Sequence, residues 1–420
     1  MDLDAAVADI DLVSMAFWAR PPAERLAAFA RLRALDHPVF FTEPRVPLVR
    51  AGRGFHALVR HADVAEAGRN AKVFSSEPAA TSPEPPPWIS LVFGTPMVNM
   101  DDPRHARLRR IVSRAFSPKM LTRLERDIET TAARIVDDVV HAGAGDFVEQ
   151  VAARLPIHVI CAMMGIPHEL RPRVLGHIDA MTAYSGVRGS LTSARTLRLL
   201  GANLKAIVEL HRLVARLGRQ RMREPREDLV SALVNANVEG EALSVRELGS
   251  FFDLLLVAGN ETTRNALAHG LKLFTDHPDQ RALLLSDYDG RAAGAIEELI
   301  RYVSPIIQFR RTLTREYELG GHAFAAGDKV VLFYISANRD KAVFAEPDVF
   351  DITRSPNPHL GFGGPGPHLC LGANLARMEL KIMFRELFGR LPDVRAVGEP
   401  RWLLSSFDNG IRRLPFASVR

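Results

Sequence analysis

Phe362-Gly363-Gly364-Pro365-Gly366-Pro367-His368-Leu369-Cys370-Leu371-Gly372 is the stretch on which the reading of this chain turns. Four glycines and two prolines in eleven residues describe a rigid loop whose backbone passes very close to a neighbour. Residues 373–384, which follow, read as helix, so Cys370 stands at or just before a helix N-terminus. Free amides and the helix dipole at that position lower a thiol's pKa and favour the thiolate, a nucleophile or a metal ligand. An inert cysteine buried at a glycine-rich turn is the plainer alternative. Cys161, in an apolar helical run, is the better example of that.

Cys161 is the only other cysteine, so no metal site can be built from several thiolates. A single thiolate ligand points to a metal held otherwise by a cofactor, and haem is the obvious case. A cysteine protease would need a partnered histidine and an oxyanion site, and nothing around His368 decides that.

Working outward, the 420 residues are 47% hydrophobic and 25% charged, the composition of a globular protein. That excludes a disordered chain, a collagen-like repeat and a disulfide scaffold. Lys and Arg number 54 against 49 Asp and Glu, a balance that does not announce a nucleic-acid binder. Residues 1–11 carry four acidic side chains and lack a signal peptide's basic start and apolar core. An apolar stretch such as Leu254 to Gly259 is far below the ~18 residues of a membrane span. A cytoplasmic protein with reduced thiols and no membrane anchor is expected.

Helical periodicity dominates, with helices expected over Pro21–Leu35, Met120–Ala142, Ala202–Arg223 and Val245–Asp276. Strand-like runs cluster at Val46–Val59 and Tyr317–Ile335, the second with Gly320-Gly321 and Gly327-Asp328 as turns. The expected class is mainly α with a small β region, in one domain over 1–420. Ser75–Met97 holds six prolines and reads as a long irregular loop, as does Asp340–Gly366.

Three further patterns carry chemistry. In the middle of the long helical run lies Ala258-Gly259-Asn260-Glu261-Thr262-Thr263. Gly259 costs about 1 kcal/mol against Ala there, and polar groups stand where burial is expected. An ordinary amphipathic face with Glu261 in water is the alternative. Glu298 and Arg301 form an i,i+3 pair of the kind usually found on a solvated face. Asp101-Asp102-Pro103 opens a helix that sets His105 and Arg109 four apart on one face.

On these residues the chain resembles a bacterial cytochrome P450. Phe362, Gly366, His368, Cys370 and Gly372 match that family's haem loop. One residue is extra, since Phe362 stands eight rather than seven positions before Cys370. This longer form resembles members that oxidise steroids, terpenoids or branched lipids. The resemblance implies the mainly α P450 fold, one haem b (iron protoporphyrin IX) with Cys370 as the axial iron ligand, and Phe362, Gly372 and Ala258 beside the cofactor. His105, Arg109, Arg311 and His368 are implied to hold the haem propionates, with the adjacent Arg310 competing for the place of Arg311. Arg suits a carboxylate because its fork is bidentate and always charged. Glu298, Arg301 and Arg354 are implied to form a buried network under the loop. Thr262 and Glu261 match the family's acid–alcohol pair. Cleavage of O2 needs two protons in an otherwise apolar site, which a hydroxyl and a carboxylate can relay.

The implied activity is monooxygenation, one oxygen atom of O2 entering a C–H bond of a lipophilic substrate and the other leaving as water. Cys370 would donate the electron density that favours O–O cleavage. The haem domain uses up all 420 residues, so electrons are expected from a separate ferredoxin-type donor and its NAD(P)H-dependent reductase. Arg104, Arg107, Arg110 and Arg114 form either its docking patch or a merely solvated basic face. Trp88, Phe93, Met97, Val257, Ile306 and Ile307 are expected to line the substrate pocket. Two other readings stay open, a peroxide-driven peroxygenase and a non-catalytic haem- or ligand-binding protein.

Overall fold

The long apolar run forms the helix Val245–Asp276, 32 residues through the middle of the structure. A capping box starts it: Glu247 N–H donates to Ser244 Oγ at 3.2 Å and Ser244 N–H donates to the Glu247 carboxylate at 2.9 Å. Phe252, Leu256, Leu267 and Leu271 are fully buried from it, a spacing that keeps one stripe inward. Against it pack the helices Arg154–Met163, Ala194–Arg223, Tyr288–Val303 and Ala373–Arg390. Together with Pro118–Ala142 they enclose the largest hydrophobic core. The computed structural model describes residues 7–43, 54–81, 94–115, 118–185, 194–235 and 243–418.

The β region is a five-stranded sheet in the order Val39–Phe41, Phe55–Leu58, Lys329–Phe333, Gln308–Leu313, Phe74–Ser75. Only the pairing of Phe55–Leu58 with Lys329–Phe333 is parallel. One face of the sheet buries an aromatic cluster that includes Phe17, Trp18, Phe29, Phe55 and Phe333. Helix His61–Arg69 follows the second strand and leads toward the cysteine loop.

The expected helices all form, with shifted ends: Pro22–Arg33, Pro118–Ala142, and Ala194–Arg223, which begins eight residues before Ala202. Tyr317–Ile335 resolves into the hairpin Tyr317–Leu319/His322–Phe324 and the strand Lys329–Phe333, after which Tyr334–Ala337 turns helical. Gly320 and Gly321 take φ of +59° and +77°, which explains both glycines in the turn. Of Val46–Val59, the segment 46–53 lies outside the described residues, and Phe55–Leu58 is a strand. The strand Gln308–Leu313 was not expected, because Gln-Phe-Arg-Arg-Thr-Leu lacks alternation; both of its arginines are buried. Asp340–Gly366 has no regular element, as read.

Glu379, on the helix Ala373–Arg390, is buried with no partner for its Oε2. Burial pushes its carboxyl up to about 8. The unfolded chain releases this proton near 4.5 and the folded chain only near 8, so stability falls as pH rises between those values. Glu379→Gln keeps the shape and removes the charge. Its Tm should therefore gain on the parent between pH 5 and pH 8 and stay ahead above that. Parallel Tm profiles would mean that the carboxyl ionises freely inside the fold.

Candidate active site

The cysteine loop is seated on a helix of the N-terminal region. A Cβ on Gly366 (φ +143°) would lie 2.1 Å from the carbonyl oxygen of Gly68, so only glycine fits there. The neighbour that the glycine-rich sequence anticipates is thus the backbone of His61–Arg69. Despite its extra residue the loop closes on itself, Cys370 N–H donating to Phe362 O at 2.9 Å. The Phe362 ring is fixed by the Arg377 guanidinium, 4.4 Å above it. Arg377 is held in turn by Glu297 (2.6 Å), which also meets His359 (3.0 Å).

Cys370 precedes the helix by three residues and keeps an open face, with protein packed around its other sides. Burial pushes the thiol up, against the opposing pull of Gly372 N–H, Arg109 and Arg377. The lowered pKa expected from the helix start is therefore corrected: burial outweighs the Gly372 amide and the two guanidiniums. Such a thiol ionises when a metal binds it, since a coordinating cation deprotonates its ligand. Cys161 is fully buried, and burial takes its thiol to about 11, as befits a structural cysteine.

Beside the loop, basic groups converge. The His105 and His368 rings lie 4.2 Å apart, and Arg109 Nη2 donates to Leu369 O at 2.6 Å. Ser76 Oγ and His368 Nε2 are 3.0 Å apart. Burial, then the charges of Arg311, His105 and Arg109, take His368 down to about 3, so it is neutral at physiological pH. Arg310 and Arg311 are successive strand residues and face opposite ways. The effect of Arg311 on His368 shows which of the two faces the loop.

Arg109 and Arg311 make their hydrogen bonds, among the described residues, to the backbone carbonyls of Leu369 and Arg310, and neither forms an ion pair with a carboxylate. Two sheltered guanidiniums outside any ion pair, next to a thiol, fit a ligand that carries two carboxylates and a thiophilic metal. Haem b is such a ligand. No cluster of three His, Cys, Asp or Glu that could hold a metal occurs among the described residues.

Below the loop, Glu298 and Arg301 are fully buried and bonded at 2.7 and 2.8 Å. Arg354 joins Glu298 at 3.1 Å, and Asn357 Nδ2 and Asp351 N–H donate to the same carboxylate. Arg301 also donates to the carbonyls of Asn338, Pro347 and Val349. The pair that looked like a solvated face is the anchor of the irregular segment.

In the long helix, Thr262 Oγ1 donates to Ala258 O at 2.7 Å, and Glu261 pairs with Arg264 at 2.6 Å. Val257 (47% exposed) and Ala258 present an open face between buried neighbours. Gly259 lies against Ile160, where a Cβ would come within 3.0 Å of a methyl group. Of the remaining pocket candidates, Trp88 and Phe93 lie outside the described residues. Met97 packs in the helical core and Ile307 is fully buried with the aromatic cluster, whereas Ile306 is half-buried and bridges to Asp408. Arg104 pairs with Glu77 (3.9 Å) and Arg107 with Glu247 (2.8 Å); Arg110 is exposed, and the Arg114 side chain is outside the described set.

The cytochrome P450 family profile matches residues 293–391. A methyl-branched lipid omega-hydroxylase of Mycobacterium bovis is 44% identical over 98% of this chain and 95% of its own. The chain belongs to the cytochrome P450 family. A steroid C26-monooxygenase of Mycolicibacterium smegmatis is 37% identical over 94% of this chain and 90% of its own. A Mycobacterium marinum cytochrome P450 solved with pseudoionone superposes with a TM-score of 0.89 at 40% identity, covering 97% of this chain and 98% of that one. P450s are haem-thiolate monooxygenases that carry haem b, and the fold here is theirs. No helix among the described residues is long and apolar enough to cross a membrane.

Sequence reading missed Arg377, Glu297, His359, Asn357 and Ser76. Their partners stand far away in the chain, and no local pattern marks them. Arg301→Met would leave Glu298 buried with its main partner gone, which costs about 3–5 kcal/mol. The urea midpoint should fall accordingly. A loss under about 1 kcal/mol would mean that water or a proton replaces the guanidinium.

Proposed function

We propose that this chain is a single-domain P450 that hydroxylates an unactivated C–H bond of a lipophilic, methyl-branched or terpenoid- or steroid-like molecule. The observation that carries the reading is the convergence of Cys370 with Arg109, Arg311, His105 and His368 around one loop. The substrate class rests on the 44% identity to a branched-lipid hydroxylase, and the exposed apolar side chain of Val257 next to Ala258 is in keeping with it.

When bound, haem supplies the redox chemistry that splits O2 and delivers one oxygen atom to carbon, the other leaving as water. Cys370 would be the axial ligand, and Arg109, Arg311, His105 and His368 would hold the two carboxylates. Phe362 and Arg377 fix the loop's shape behind the sulfur. Thr262 places its hydroxyl on the open face with its own proton given to Ala258 O, so its lone pairs can accept a hydrogen bond from incoming water. Glu261, buried and paired with Arg264, sits one residue before it as the proton source. An intact pair of this kind is superfluous to a peroxide-driven reaction.

Electrons would come from a ferredoxin-type donor and its NAD(P)H-dependent reductase. Arg104, Arg107 and the exposed Arg110 stand on one basic helix, which supports a docking face there. The free thiols of Cys161 and Cys370 support a cytoplasmic setting.

A titration of the ferric protein's absorbance with branched fatty acids, terpenoid ketones and steroids should give a low- to high-spin shift with one class. No shift with any of them, alongside a normal thiolate–CO band, would refute the substrate class alone. Thr262→Ala should keep that shift while diverting NADH-derived electrons to peroxide. Unchanged coupling would refute the role of Thr262, and full turnover with peroxide alone would favour a peroxygenase.

A further inference from the structure

Where the helices Pro118–Ala142 and Arg154–Met163 meet the start of Arg171–Ser185, they leave a cavity of about 220 Å3. None of the residues around it belongs to the site described above. Asp127, Thr131 and Arg134 recur at helical spacing along the first helix, as do His158 and Ala162 along the second, so two helix faces meet across the space. Leu124, Ile128 and Val159 are buried residues of the helical core and give the cavity an apolar side.

The polar side is basic. Arg134, His158, His168 and Arg171 line it, with Asp127 as the one acid. Arg134 makes no hydrogen bond or ion pair among the described residues. Arg171 donates to Ile166 O and to His168 Nε2, each at 3.3 Å, and neither acceptor carries a negative charge. The neighbouring Arg154, by contrast, is already bound to Asp138 at 2.6 Å. His158 feels this surplus of positive charge. Burial first, then Arg134, Arg171, Arg154 and His168, take it down to about 4, and its Nδ1 is buried with no partner. The standing charge of the cavity is therefore two guanidiniums against one carboxylate.

A guanidinium outside any ion pair offers a planar fork that suits carboxylate and phosphate oxygens. The space is smaller than the ~300–1,000 Å3 of pockets for drug-sized ligands, which excludes a steroid or a long lipid. Its apolar side, in turn, is wasted on a bare inorganic ion. We propose that this cavity binds a small organic oxyanion, a carboxylate or phosphate ester with a short apolar part. The charged end lies between Arg134 and Arg171, and the apolar part lies against Leu124, Ile128 and Val159.

The test is calorimetric titration of the haem-loaded protein with benzoate, phenyl phosphate, inorganic phosphate and benzyl alcohol. Benzoate or phenyl phosphate should bind saturably, and the tighter of the two identifies the charged end. Inorganic phosphate should bind about tenfold more weakly or worse, and benzyl alcohol not at all. Arg134→Gln and Arg171→Gln should each weaken binding by about tenfold or more. Asp127→Asn should tighten it several-fold, a gain that a loosened fold cannot give. Arg401→Gln removes the same charge on the strand Arg401–Trp402, away from the cavity lining, and should leave affinity unchanged. A normal thiolate–CO band in every variant reports an intact fold. Equal weakening by Arg401→Gln would reduce the attraction to net charge and overturn the inference. Binding that survives both cavity arginine changes but yields to a lipophilic ligand would place the anion in the haem pocket and overturn it as well. Inorganic phosphate binding as tightly as either organic anion overturns the organic assignment, and no binding of any anion at millimolar concentration overturns the site.

Discussion

Much of this molecule depends on one carboxylate that cannot see water. Glu298 is fully buried and binds Arg301, Arg354, Asn357 and the Asp351 amide. A buried ion of this kind is costly unless every lone pair is used, and here the surrounding backbone is recruited to use them. Arg301 extends the network to three carbonyls and Arg354 to those of Ala345, Glu346 and Val349. Residues 340–366 have no helix or strand to order them, so these bonds stand in for secondary structure. Asn338 completes the frame, its Oδ1 accepting from Leu360 N–H just ahead of the cysteine loop.

The site above this frame joins an unfavourable solvation energy to an incomplete charge balance. Desolvation raises the Cys370 thiol, and Arg109 and Arg377 only partly compensate. Arg109 and Arg311 are themselves sheltered and neither is in an ion pair with a carboxylate, although Asp101 lends Arg311 some opposite charge. Each imbalance would be relieved by the same ligand, a cation for the sulfur and two anions for the guanidiniums. The site therefore stores, as electrostatic mismatch, a preference for one kind of cofactor.

Local pattern made the helices and the chemistry of the cysteine loop legible. Gly366, Cys370 and the interruption at Ala258–Thr263 break local rules so clearly that function is the economical explanation. What stayed hidden depends on distant partners. Nothing in Glu-Leu-Ile-Arg tells a buried pair from an exposed one, and it took the resemblance to P450s to bring in Arg354. The strand carrying Arg310 and Arg311 does not alternate, because both of its arginines are buried. The thiol's direction was misjudged for a similar reason. A helix start is visible in the sequence, while the extent of desolvation is not.

The contact between Gly366 and Gly68 has a consequence for how the molecule is made. Backbone meets backbone there with no room for even a methyl group, and the two glycines come from nearly opposite ends of the chain. On the ribosome the helix His61–Arg69 emerges early and waits, without its partner, until most of the polypeptide has been synthesised. The cysteine loop thus reaches its seat only once most of the chain has been made, so any group it is to hold can be gripped only late in the life of the nascent chain.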